Sequence, residues 1–157
     1  MDYLKNYGIT QGKGQYYEEA IYGLGLVYNL ISDEISTYLA DFGLTPAKLN
    51  VLMIIKHEGG KTGISQVEIS KKLIVTPSNM TRLLDKLGRE KLVERLAQEG
   101  DRRVNLIRVT DKASKLLDAA WPGYKEKLKN LMSGVKQDEQ KALANLIGKW
   151  LDTIISK

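Results

Sequence analysis

The chain has no cysteine and only one histidine, His57, among its 157 residues. Disulfides, thiolate metal sites and thiol redox chemistry are thereby excluded, and a transition-metal site would have to rely on carboxylates. No apolar run approaches the roughly 20 residues that a membrane-spanning helix needs. The opening stretch "MDYLKNYGITQGKG" lacks the basic start and apolar region of a secretory signal, so a cytoplasmic location is expected. No nucleophile, histidine and carboxylate fall at spacings that assemble a catalytic set. His57 closes a helix, where an imidazolium suits the dipole. The expectation is a protein that is not an enzyme and uses neither metal nor cofactor. The "GGKTG" run at 59–63 is not a phosphate loop, because that motif requires glycine five residues before Gly60 and Ile55 stands there.

What is present is an ordinary globular composition, 43% hydrophobic and 27% charged, in a length suited to one core. The net charge of +5 is unevenly placed: residues 1–44 carry two lysines against six acids, or −4, leaving +9 on the remainder. A basic bulk suits a polyanion partner, although a solvated surface can carry the same charge.

Proline is scarce too, with Pro46, Pro77 and Pro122 as the only three, and each marks a helix. Thr45-Pro46 reads as an N-cap followed by proline in the first turn. Before it, Ile21, Leu24, Tyr28, Ile31, Ile35, Tyr38 and Phe42 alternate by three and four, the stripe of a long helix. Leu26, Val27, Leu30 and Leu39 add apolar surface beyond one neighbour's reach, so a second packing side in a dimer is expected. "SQVE" at 65–68 is a capping box opening a short helix to about Leu73. Thr76 and Pro77 then start another helix to about Arg89, and two helices across so short a turn make a helix-turn-helix. In the second, Met80, Leu83, Leu84 and Leu87 share one face, while Ser78, Arg82, Asp85 and Arg89 lie opposite, flanked by Asn79, Thr81 and Lys86. Asp85 and Glu90 are the nearby partners for a solvated pairing of Arg82 and Arg89.

"LVERLA" and "NLIRVT" follow as two β segments joined by the charged link that holds Asp101, Arg102 and Arg103. Thr110-Asp111 caps a further helix, which Pro122-Gly123 must kink or stop near Trp121. A last helix carries Leu143, Leu146, Trp150 and Ile154. The fold class is thus mainly α with a small β-hairpin wing, an α+β winged helix-turn-helix, whose long N- and C-terminal helices form a dimerisation domain. The expected organisation is 1–44 as an N-terminal helix in the dimerisation region, 45–112 as the winged lobe, and 113–157 as C-terminal dimerisation helices.

The stretch "VTPSNMTRLLDKLGREKLVERLAQEGDRRVNLIRVT" at 75–110 resembles the MarR (multiple antibiotic resistance regulator) family. Asp101, Arg103 and Val109-Thr110 match its wing signature, with valine replacing leucine. The resemblance implies a cytoplasmic homodimeric transcription regulator on double-stranded DNA with a palindromic operator, most often a repressor answering to a small aromatic or phenolic effector. A recognition helix at 76–89 would enter the major groove. Ser78, Asn79, Thr81 and Arg82 lie in its first turns, where base edges are reached, and the helix starts at Thr76 and Ser65 offer N–H groups to phosphates. A wing at 97–104 would place Arg103 in the minor groove, with Asp101 orienting it and Arg102 on phosphate. Ile21, Leu24, Tyr28, Leu146, Trp150 and Ile154 are the expected dimer contacts.

Two departures from the family pattern stand out. Ile74 and Lys91 occupy positions where relatives often carry glycine, and a left-handed backbone at either costs ~1 kcal/mol or more, so a slightly different turn is expected. Seven of the eight tyrosines fall within the first 38 residues, suited to dimer packing or to lining an effector pocket. The alternative function is a winged-helix protein-interaction module without an operator.

Overall fold

The structure, a computed structural model, describes residues 3–8, 16–73, 77–97 and 105–156. Its helices are α1 (Tyr3–Asn6), α2 (Tyr16–Ala40), α3 (Pro46–Ile54), α4 (Gln66–Leu73), α5 (Pro77–Arg89), α6 (Asp111–Leu131) and α7 (Gln137–Ile155). One π-helical turn, Ile55–Gly59, prolongs α3. The strands are β1 (Ile64–Ser65), β2 (Val93–Ala97) and β3 (Asn105–Val109). Mostly helical, with one small antiparallel sheet, this is the winged helix-turn-helix architecture that the pattern implied.

The predicted caps at Thr45 and Thr110 form. The Thr45 hydroxyl accepts from the Lys48 N–H at 3.2 Å, with Pro46 in the first turn of α3. The Thr110 hydroxyl accepts from the Ala113 N–H at 3.2 Å and donates to the Lys91 carbonyl at 2.9 Å, so one side chain starts α6 and holds the base of the hairpin. Each serves a backbone group that its helix cannot satisfy.

Strand order is β1-β3-β2, antiparallel throughout. The hairpin was legible as two strands, but β1 is a third, pairing Ile64 with Ile107 and Ser65 with Leu106. Two residues are too few to show alternation. Their approach depends on Gly63, with φ +83°: a Cβ there would lie 3.0 Å from the Leu106 Cβ and 3.2 Å from the Ile107 carbonyl oxygen.

Two compact units divide the chain at Met1–Trp121 and Pro122–Lys157. The first contains a continuous apolar core drawn from Ile35 and Leu39 of α2, Leu49 and Leu52 of α3, Ile69 of α4, Met80, Leu84 and Leu87 of α5, Ile107 of β3, and Leu117 and Ala120 of α6. The stripe on α2 therefore divides: its C-terminal part is covered, whereas Ile21, Leu24 and Tyr28 stay exposed. In the second unit no residue of α7 is buried. Helix α6 continues through Pro122, so of kinking and stopping, it does not stop.

Two helices end in the same kind of turn. At the end of α2, Leu44 N–H donates to Leu39 O at 3.0 Å and Gly43 N–H to Ala40 O at 2.9 Å, with Gly43 at φ +63°. At the end of α5, Leu92 N–H donates to Leu87 O and Lys91 N–H to Gly88 O, both at 2.9 Å, with Lys91 at φ 58°. Both are Schellman turns, each with an apolar leucine pair. Lys91 thus adopts the left-handed conformation that glycine would take, and the different turn expected at this position is not seen. Ile74 lies outside the described residues.

The Lys48 ammonium joins these turns. It donates to Gly43 O at 3.1 Å and to both Glu90 carboxylate oxygens at 2.8 and 2.7 Å, while Lys48 itself is only 5% exposed. A buried charge is tolerated only when paired and hydrogen-bonded.

Glu90→Ala, which strands the buried ammonium, is expected to cost about 3 kcal/mol of stability, and Lys48→Met, which leaves a carboxylate that water can reach, under about 1.5 kcal/mol; urea midpoints in the reverse order would contradict the role of the pair. Lys91→Gly should raise unfolding stability by up to about 1 kcal/mol by relieving the left-handed backbone. A lowered midpoint would show that the lysine side chain compensates.

Candidate nucleic-acid interface

Helices α4 and α5 present the candidate surface. Ile69 of α4 is fully buried, and Met80, Leu84 and Leu87 anchor α5 in the core at 0–3% exposure. That spacing of four and three turns the other side of α5 outward. Ser78, Asn79, Thr81, Arg82, Asp85, Lys86 and Arg89 are all exposed there. Thr76, Asp101, Arg102 and Arg103 lie outside the described residues.

The one carboxylate on this helix, and the Glu90 carboxylate just after it, are taken by cations from elsewhere in the lobe. Asp85 accepts from Arg95 of β2 at 2.8 Å, and Glu90 holds Lys48. The local pairing of Arg82 and Arg89 with Asp85 and Glu90 does not form. Arg82, Lys86 and Arg89 make no ion pair among the described residues, and the outer face of α5 is left basic. On the far side of the hairpin, Arg108 pairs with Glu94 at 2.7 Å and donates to the Lys61 carbonyl at 3.4 Å, tying β3 to the turn after α3.

At the start of α4 the capping box closes. Glu68 N–H donates to the Ser65 hydroxyl at 3.2 Å, and Ser65 donates to the Glu68 carboxylate from its hydroxyl at 2.8 Å and its N–H at 3.1 Å. With the Ser65 hydroxyl hydrogen committed to Glu68, any phosphate contact here falls to backbone N–H groups. The Ser65 hydroxyl first, and its backbone N–H second, hold the Glu68 carboxyl below the usual carboxylate range.

Sequence reasoning missed three participants: Gln66, whose side-chain amide donates to the Thr81 hydroxyl oxygen at 2.7 Å, and the two cations Arg95 and Lys48. No spacing rule reaches such pairs, separated by 15, 10 and 42 residues.

Among the described residues the apolar candidates remain partly exposed. Ile21, Leu24 and Tyr28 are 43–68% exposed on α2, and Leu146, Trp150 and Ile154 are 39–65% exposed on α7. Tyr7 and Tyr22, with Gly8 and Leu26, border a hollow of about 400 Å³. Among the described residues no helix is long and apolar enough to cross a membrane.

A family model described as MarR family matches residues 42–104. The HTH-type transcriptional regulator MhqR of Bacillus subtilis (strain 168) is 27% identical over 116 residues, 74% of this chain and 78% of that protein. The HTH-type transcriptional repressor MdtR of the same organism is 27% identical over 126 residues, covering 80% of this chain and 79% of the relative. The crystal structure of a mutant MarR from E. coli complexed with operator DNA matches with a TM-score of 0.77 and 26% identity, over 87% of this chain and 98% of that one.

The capping box has a pH signature. Because the folded state lowers the pKa of Glu68, the contribution of the cap is complete above the ordinary carboxylate range of about 4.3 and fades as pH falls through the lowered value. Ser65→Ala is expected to return the Glu68 titration, followed by carboxyl NMR shifts, toward the ordinary value. An unmoved midpoint would rule out Ser65 as the cause.

Proposed function

We propose that the chain, whose residues 42–104 match the MarR family, is one of its winged-helix, DNA-binding transcription regulators and not an enzyme, and that it acts as a homodimeric, ligand-responsive repressor on a palindromic operator. The observation that carries this reading is the outer face of α5: polar and basic, with its Asp85 carboxylate paired to Arg95 and the neighbouring Glu90 paired to Lys48. A helix whose apolar side is held by the core can enter the major groove with Ser78, Asn79, Thr81 and Arg82 toward base edges. The wing residues Asp101, Arg102 and Arg103 complete the reading from sequence: Arg103 in the minor groove, oriented by Asp101, and Arg102 on phosphate. Backbone N–H groups at the helix starts by Thr76 and Ser65 supply further phosphate contacts.

Dimerisation is supported by the apolar side chains that one copy leaves in water. Ile21, Leu24 and Tyr28 on α2, and Leu146, Trp150 and Ile154 on α7, are an unfavourable exposure in a monomer; a second copy would cover them. The repressor assignment draws support from the repressor MdtR among the relatives. A small aromatic or phenolic effector suits the tyrosine-bordered hollow by Tyr7 and Tyr22, and would act by preferring one of two lobe spacings in the dimer.

Selection from a random duplex library tests the function, with enrichment of a palindrome as the expected result. Enrichment of nothing would return the chain to a protein-interaction module. On the selected operator, Arg82→Ala should lose ~1–3 kcal/mol of discrimination at one base pair per half-site. Arg102→Ala should instead flatten the log–log salt slope by about 0.9 for each phosphate that it no longer neutralises. Unchanged discrimination would remove Arg82 from the base-reading set.

A further inference from the structure

We propose that Gln66 is a positioning residue for base recognition, setting how Thr81 meets a thymine methyl group in the major groove. The inference rests on the operator-binding reading above and adds to it a residue on α4 and the chemistry that it serves. Gln66 is the first residue of α4 and Thr81 the fifth of α5, 15 positions apart in sequence, yet the Gln66 Nε2 donates to the Thr81 Oγ1 at 2.7 Å.

The donor arm is held at its root, because the Ser65–Glu68 capping box fixes the backbone where Gln66 begins. Thr81 is the receiving end, exposed on the face that also carries Ser78, Asn79 and Arg82. Threonine in a helix divides between two χ1 wells, because its hydroxyl can turn back toward a carbonyl of the preceding turn. An amide arriving from a second helix breaks that near-equivalence by drawing Oγ1 to the α4 side. The Cγ2 methyl then takes the other direction.

A threonine methyl is one of the few apolar groups able to contact the thymine C5 methyl, which is what distinguishes thymine from the other bases on the major-groove edge. An ordered methyl makes that contact without losing rotamer freedom on binding. Gln66 therefore acts through Thr81, and its removal should change the reading of one base pair rather than overall affinity.

The test uses the full-length protein and its selected operator, with each thymine replaced in turn by deoxyuridine, which lacks only the C5 methyl. For the unaltered protein, one position per half-site should lose about fourfold in affinity, the worth of one buried methyl. Thr81→Ser should abolish that loss, Thr81→Val should preserve most of it, and Gln66→Ala should reduce it to under twofold at the same position with the salt slope unchanged. Gln66→Leu serves as a second variant that keeps the side-chain bulk, and circular dichroism melting verifies that each variant is folded. The double variant Gln66→Ala/Thr81→Ser should behave as Thr81→Ser alone, since both act through one methyl.

The proposal is overturned if Gln66→Ala and Gln66→Leu keep the fourfold preference, if they alter the reading of a different base pair, or if deoxyuridine has no effect anywhere on an operator that the protein still selects. In these cases operator binding itself stands. A protein that selects no duplex overturns both readings.

Discussion

A buried ammonium group ties the C-terminal end of α5 to the turn that closes α2. Lys48 reaches from α3 to the Gly43 carbonyl and to both oxygens of Glu90, so the turn closing α2 and the turn closing α5 share one cation. An apolar stripe such as Met80, Leu84 and Leu87 resists lifting of a helix but does little against sliding along its axis, because hydrophobic burial has no direction. Three hydrogen bonds to a point charge in a low-dielectric surround are directional. The Lys48 contacts therefore add a directional hold to the apolar anchoring of α5 by Met80, Leu84 and Leu87.

The same economy of charge shapes the exposed face. Asp85 and Glu90 on or beside α5 would repel a polyanion, yet one is held by Arg95 from the wing strand and the other by Lys48 from α3. Both pairs neutralise negative charge beside the outer face of α5, and the largely buried Lys48–Glu90 pair also fastens the lobe. An exposed pair such as Arg95–Asp85 adds little stability, and its larger effect is on the local field. The apolar exposure of α2 and α7 is of another kind: residues such as Leu30 and Leu146 gain nothing from water, and only a covering surface relieves them.

Lys91 shows how far the turn between α5 and the wing strand constrains the chain. A lysine at φ 58° accepts the strain that a glycine would avoid. The Schellman hydrogen bonds, the Leu87–Leu92 pair and the Thr110 hydroxyl on the Lys91 carbonyl together outweigh it. With lysine at this site the turn bears the left-handed strain and still closes with Schellman hydrogen bonds.

Helix periods, the caps at Thr45, Ser65 and Thr110, the apolar face of α5, the hairpin strands and the MarR resemblance were all legible in the linear order of residues. Each depends on neighbours within one or two turns, where chain connectivity alone sets the geometry. Tertiary structure alone decided the third strand β1, the continuation of α6 through Pro122, the partners of Asp85 and Glu90, and the bond from Gln66 to Thr81. These depend on which elements pack against one another, and a side chain choosing among several cations at similar sequence distance is committed only when burial brings one within reach.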